Sequence, residues 1–125
     1  MFPNPSLELV RSIDITPLWC PEYQLYQVEF YGDAGYEHYK LLNYLGSQYP
    51  GRTIIELGTH QGASALALVG QGVEQTSLYT FDLVNNVAPA LKTVLETRGV
   101  HFELCNICTP EGFELWREKI LESAF

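Results

Sequence analysis

The chain has 125 residues, enough for one domain and a single hydrophobic core. Hydrophobic residues make up 46% of it and charged residues 18%, a globular balance that excludes a wholly disordered chain. The net charge is −8 and the basic residues are scattered, so there is no patch to neutralise a phosphate backbone, nor any apolar run near the roughly 20 residues of a membrane span.

Neither a nucleic-acid nor a membrane partner is therefore expected. The N-terminus, with Pro3 and Pro5 and no basic start before an apolar stretch, lacks the form of a signal peptide, and a cytoplasmic protein is expected.

In chain order, prolines at 3, 5, 17 and 21 break any long helix, and residues 1–30 are expected to be an irregular arm that packs onto the rest. Residues 31–125 form the domain proper. Leu25 to Phe30 alternates in part and suggests a short edge strand, while the aromatic group Tyr23, Tyr26, Phe30, Tyr31, Tyr36 and Tyr39 reads as packing area before it reads as a pocket lining. Apolar residues recur at helical spacing from Tyr36 to Tyr49, and Pro50-Gly51 stops the run. Arg52 to Leu57 has the form of a strand buried on both faces. Gly62 to Val69 is an Ala- and Leu-rich helix, Ser77 to Asp82 a second strand, Val87 to Arg98 a helix stopped by Gly99, and Val100 to Leu104 a third strand. Glu111 to Leu121 is a last helix with Thr109 as its cap, Pro110 in its first turn, and Phe113, Trp116 and Ile120 on one face. This alternation predicts an α/β fold, a Rossmann-like doubly wound parallel sheet.

Three cysteines, Cys20, Cys105 and Cys108, are too few and too odd in number for a disulfide framework. Cys105-x-x-Cys108 before a helix start has the form of a redox pair, but the plainer reading is one inward-facing strand residue and one small turn residue. A structural zinc site wants four ligands, and neither a second close cysteine pair nor spaced histidines are present, since His38, His60 and His101 lie far apart. No metal is expected.

In an open α/β sheet ligands bind outside the carboxyl ends of the strands, which directs attention to the turns after the first and second strands. The first reads Glu56-Leu57-Gly58-Thr59-His60-Gln61-Gly62-Ala63-Ser64. Gly58 permits a sharp turn and a close ligand, and Gly62 a close approach of the helix start. The second turn opens on Asp82, whose carboxylate can accept both hydrogen bonds of a ribose diol. A dinucleotide fingerprint would place a glycine where His60 stands, and a phosphate loop would need Gly-Lys-Ser/Thr, so a pyrophosphate ligand is disfavoured. Glu56 and Asp82 also have plainer readings, as a solvated strand-end carboxylate and a turn cap. His60 reads as a loop residue near the ligand, without a carboxylate spaced to make it a base.

Glu56 to Ser64 resembles the first motif of the class I S-adenosylmethionine-dependent methyltransferases, in the form E-[LI]-G-T-x-x-G-x-S of the enzymes related to catechol methyltransferase and of the cephalosporin-hydroxylase-like group. Asp82 in Tyr79-Thr80-Phe81-Asp82 corresponds to that family's second-strand acid. The resemblance covers roughly residues 36–122. It implies a methyltransferase with S-adenosylmethionine as cofactor and a small-molecule acceptor. Glu56 and the backbone of Gly58, Thr59 and Gly62 would hold the amino-acid end of the cofactor, Ser64 would sit at the helix start, and Asp82 would take the ribose hydroxyls. The family's turn after the third strand carries an acid that reads adenine; here Leu104-Cys105-Asn106-Ile107-Cys108 offers only the Asn106 side chain. In the family a fourth strand serves the acceptor, and the sequence ends where that strand would begin. The expectation is accordingly a cofactor-binding half with little activity by itself. It would pair the open edge of its first strand with a second copy, with another polypeptide, or with Leu25 to Phe30 folded back. A non-catalytic S-adenosylmethionine- or nucleoside-binding module and an NAD-linked oxidoreductase fragment remain the alternatives.

Overall fold

The computed structural model describes residues 2–18, 36–70 and 77–124. The elements are α1 (Leu7–Ser12), a 3-10 turn (Thr16–Leu18), α2 (Tyr36–Ser47), β1 (Thr53–Leu57), α3 (Ala63–Val69), β2 (Ser77–Asp82), α4 (Pro89–Thr97), β3 (Val100–Leu104) and α5 (Pro110–Ala124). The three strands form a parallel sheet in the order β1-β2-β3, with Ile54 opposite Leu78 and Leu78 opposite Val100. Helices interleave with the strands, and the fold is the Rossmann-like α/β arrangement that the alternation predicts.

Period-two alternation divides the strand residues between two faces. Ile54, Leu78, Val100 and Phe102 pack with Leu66, Val87, Leu91 and Leu95, so α3 and α4 cover that face, and α2 adds Tyr39 and Leu42 to the same core. On the opposite face the Lys119 ammonium of α5 lies 5.6 Å from the centre of the Tyr79 ring, which stacks in turn on His101 with centroids 4.5 Å apart.

Four boundaries or faces differ from the sequence reading. Within the segment expected to be irregular, residues 7–12 form a helix whose Ser6 hydroxyl accepts the Leu9 amide at 3.1 Å, and Ile15 and Leu18 enter the core. The buried Lys40 ammonium donates to the Arg11 carbonyl at the end of that helix, 2.6 Å away, and so holds it against α2. Helix α4 starts at Pro89 and not at Val87, because proline fits the first helical position, where no amide donor is needed. On α5 it is Gly112, Leu115, Trp116, Lys119 and Ile120 that turn inward, while Phe113 stays 45% exposed. Finally, β1 is not buried on both faces: among the described residues it pairs only with β2, its residues are half-buried, and Leu57 is 53% exposed. Leu25 to Phe30, Cys20 and the aromatic residues Tyr23, Tyr26, Phe30 and Tyr31 lie outside the described residues.

Candidate functional site

The carboxyl ends of the strands carry two turns that the sheet holds side by side. After β1 the chain leaves through Gly58 and reaches α3 through Gly62, both with left-handed backbone, at φ +93° and +94°. A Cβ on Gly58 would meet nothing within 4 Å, so glycine serves there for conformation and leaves the backbone open. A Cβ on Gly62 would come within 3.3 Å of Leu91 and Leu95, so glycine there lets the start of α3 lie against α4. The Gly58 amide donates to the Phe81 carbonyl at 2.8 Å, extending the ladder between β1 and β2 into the turn.

Asp82, the last residue of β2, ties the two turns together. Its Oδ2 accepts the His60 amide at 2.7 Å and its Oδ1 the Leu83 amide at 2.7 Å. His60 lies in the left-handed region at φ +47°, uncommon for a residue with a side chain, and the carboxylate holds it there. The His60 amide holds the Asp82 carboxyl below its ordinary pKa against partial burial, with the Leu83 and Val84 amides adding to the effect. A carboxylate has about four lone-pair positions, so these bonds leave capacity for a ligand.

Asp82 is on the wall of two clefts. One, of about 210 Å³, lies between the turns after the three strands and is lined by Leu57, Gly58, Phe81, Leu83 and Cys105 to Cys108. The other, of about 270 Å³, lies toward α4, with Asn85, Lys92 and Phe102 on its wall. Both are smaller than the roughly 300–1,000 Å³ of a pocket that encloses a drug-sized ligand.

Glu56 is placed differently. It is on neither cleft wall but behind the first turn, on the sheet face that α3 covers. Its Oε1 accepts the Ser64 hydroxyl from the first turn of α3, and its Oε2 accepts the Thr80 hydroxyl of β2 at 2.6 Å. The Thr59 and Thr80 hydroxyls are 2.6 Å apart, and both residues are buried. None of the ion pairs among the described residues involves Glu56. Burial therefore pushes its carboxyl above the ordinary pKa, against the lowering by its Ser64 and Thr80 hydrogen bonds, and the Asp82 charge adds to the rise.

The structure thus brings Glu56, Thr59 and Ser64 into one network with Thr80, and Gly58, Asp82 and Asn106 around one cleft. Asn106 is partly committed: its Oδ1 accepts the Cys108 amide at 2.9 Å, and its carbonyl accepts the Thr109 amide and hydroxyl. Its side-chain amide nitrogen is the part left to donate to a ligand. Cys105 and Cys108 are free thiols; burial, aided by the Glu103 charge, raises the Cys105 pKa, the reverse of what an attacking thiolate needs. In the sequence reading Thr80 is part of the second strand and has no role in the site. The signal for it was a polar residue at an inward position of an otherwise apolar strand, opposite Glu56 in a parallel register.

Among the described residues no three His, Cys, Asp or Glu side chains cluster as metal ligands would, and no helix is long and apolar enough to cross a membrane. No family model matches the chain, and no curated protein or solved structure matches it.

Proposed function

We propose that this chain binds S-adenosylmethionine across the carboxyl ends of its strands, as the cofactor-binding part of a methyltransferase. The observation that carries the reading is the shared cleft: a glycine turn with open backbone and a strand-end carboxylate with spare lone pairs face one another across it. Asp82 would accept the ribose hydroxyls. The exposed Leu57 and Leu83, with Ile107, would flank the base, and the Asn106 amide nitrogen would meet its polar edge. Glu56, behind the first turn and off both cleft walls, pairs with no cation among the described residues and would counter the ammonium of an amino-acid end that reaches past that turn, with Ser64 orienting it. His60 in place of a middle glycine leaves a pyrophosphate without its cradle, which favours this reading over a dinucleotide.

Calorimetry with S-adenosylhomocysteine and with NAD tests the proposal. The first is expected to bind and the second not to. Asp82→Ala should weaken the first by about 1–3 kcal/mol, the range for a hydrogen bond to a charged group with its context dependence. Equal affinity of the wild type and Asp82→Ala, or preference for NAD, would sink the assignment.

A further inference from the structure

Thr80 lies at the centre of the sheet and is fully buried, and Thr59 in the neighbouring turn is 4% exposed. A hydroxyl has one proton to give. Because Thr80 gives its proton to Glu56 Oε2, the bond between the two threonines must be donated by Thr59, and the chain of donors runs in one direction, from Thr59 through Thr80 to Glu56. Ser64 supplies the donor to the other oxygen. The carboxylate is therefore gripped from β2 on one side and from α3 on the other, each oxygen spending one lone pair and keeping another.

We propose that the buried Thr59–Thr80 hydroxyl pair is a positioning device for Glu56, fixing the orientation of its carboxylate so that the remaining lone pairs receive a cationic group of the ligand. Neither threonine hydroxyl touches the ligand in this arrangement, since the Thr59 hydroxyl is spent on Thr80 and the Thr80 hydroxyl on Glu56. The inference rests on the proposed function for the identity of that group, the ammonium of the amino-acid end, while the hydroxyl chain itself stands on the geometry alone.

The surroundings make the pair matter. β1 and α3 carry no charge beside Glu56, the turn between them carries Thr59 and His60, and β2 carries Asp82, whose negative charge raises the Glu56 pKa as burial does. The hydroxyls of Thr80 and Ser64 act in the opposite direction. Removing the Thr80 hydroxyl takes away one of those two, and a neutral Glu56 has no charge to offer a cation.

The test uses Thr80→Val, which keeps the side-chain shape, Thr80→Ser, which restores the hydroxyl, and Thr59→Val, which removes only the outer donor. Carbon NMR of the Glu56 carboxyl across pH is read in each, together with calorimetry of S-adenosylhomocysteine and of adenosine, which lacks the ammonium. Thr80→Val is expected to raise the titration midpoint and to weaken S-adenosylhomocysteine about tenfold, near 1.4 kcal/mol, while leaving adenosine unchanged. Thr80→Ser should restore both, and Thr59→Val should shift both in the same sense by less. If Thr80→Val does not fold, Thr80→Ser and Thr59→Val decide alone: an unshifted midpoint in Thr59→Val overturns the chain of donors. An unshifted midpoint in folded Thr80→Val, or equal losses for adenosine and S-adenosylhomocysteine, overturns the positioning role. A wild type that binds neither ligand overturns the proposed function and with it the cationic partner, while the midpoints still judge the hydroxyl chain.

Discussion

On one face of the sheet Leu78, Leu91, Leu95 and Ile15 are sealed from solvent behind α2, α3 and α4. On the other, Phe81 is buried but α5 leaves Ile55 and Tyr79 half-buried and Leu57 largely open, and the enclosed Trp116 indole N–H has no hydrogen-bond partner among the described residues. β1 and β2 carry large apolar or aromatic residues on both faces, whereas β3 turns Val100 and Phe102 to the first and His101 and Glu103 to the second, so its polarity accounts for part of the contrast. The number of covering helices differs as well: among the described residues, three helices and the 3-10 turn reach the first face and one reaches the second. The first layer therefore holds most of the burial among the described residues, while among the same residues Leu57 stays exposed and no strand pairs with the side of β1 away from β2, features of the kind that mark a contact region.

Truncating one side chain in each layer tests this most directly. Leu91→Ala, in the sealed layer, should cost about 2–5 kcal/mol, whereas Phe113→Ala on α5 should stay within about 0.5 kcal/mol. Urea unfolding of both variants measures the gap, and equal losses would erase the distinction between the faces. Gly46→Ala probes how closely α2 lies on α3, since a Cβ there would fall 1.9 Å from the Leu68 carbonyl oxygen. Backbone cannot swing aside as a side-chain tip can, and a loss of about 1–3 kcal/mol or more is expected from the same unfolding curves. On the thinner side, Thr109 caps α5 by accepting the Gly112 amide at 3.2 Å, and Thr109→Ala should cost about 1 kcal/mol, with the helix start fraying in hydrogen exchange.

The smallest effect expected is on pH dependence, where the two acids of the site part company. Glu56 has its folded pKa raised above 4.5, so its contribution to stability is full below 4.5 and is lost as pH rises through the folded value. Asp82 has its folded pKa lowered below 3.8, so its contribution is present above 3.8 and is lost as pH falls through the folded value. Subtracting the stability of Glu56→Gln from that of the wild type, from pH 4 to 7, should give a difference that falls with pH. A flat or rising difference would mean that burial does not govern Glu56.

Much of the candidate site could be read along the chain, because its signals are local. Gly58 and Gly62 announce left-handed turns at a strand end, Asp82 closes a β-branched and aromatic run, and the second and third strands need only an apolar stretch between glycine-marked turns. α1 escaped because six residues are too few to show a helical period, and its stability comes from the Ser6 cap and the Lys40 contact.

Turn chemistry and hydrophobic period act between near neighbours, and they suffice to place the elements from α2 to α5 in order, the parallel sheet, and the glycines and acids at the strand ends. It took the assembled fold to settle that Asp82 holds the His60 amide from 22 residues away, that Glu56 turns from the clefts toward Thr80, and that Phe113 faces solvent. Each of those outcomes depends on the register between strands and on which surface a helix finds to cover, and neither is written in the spacing of residues along one segment.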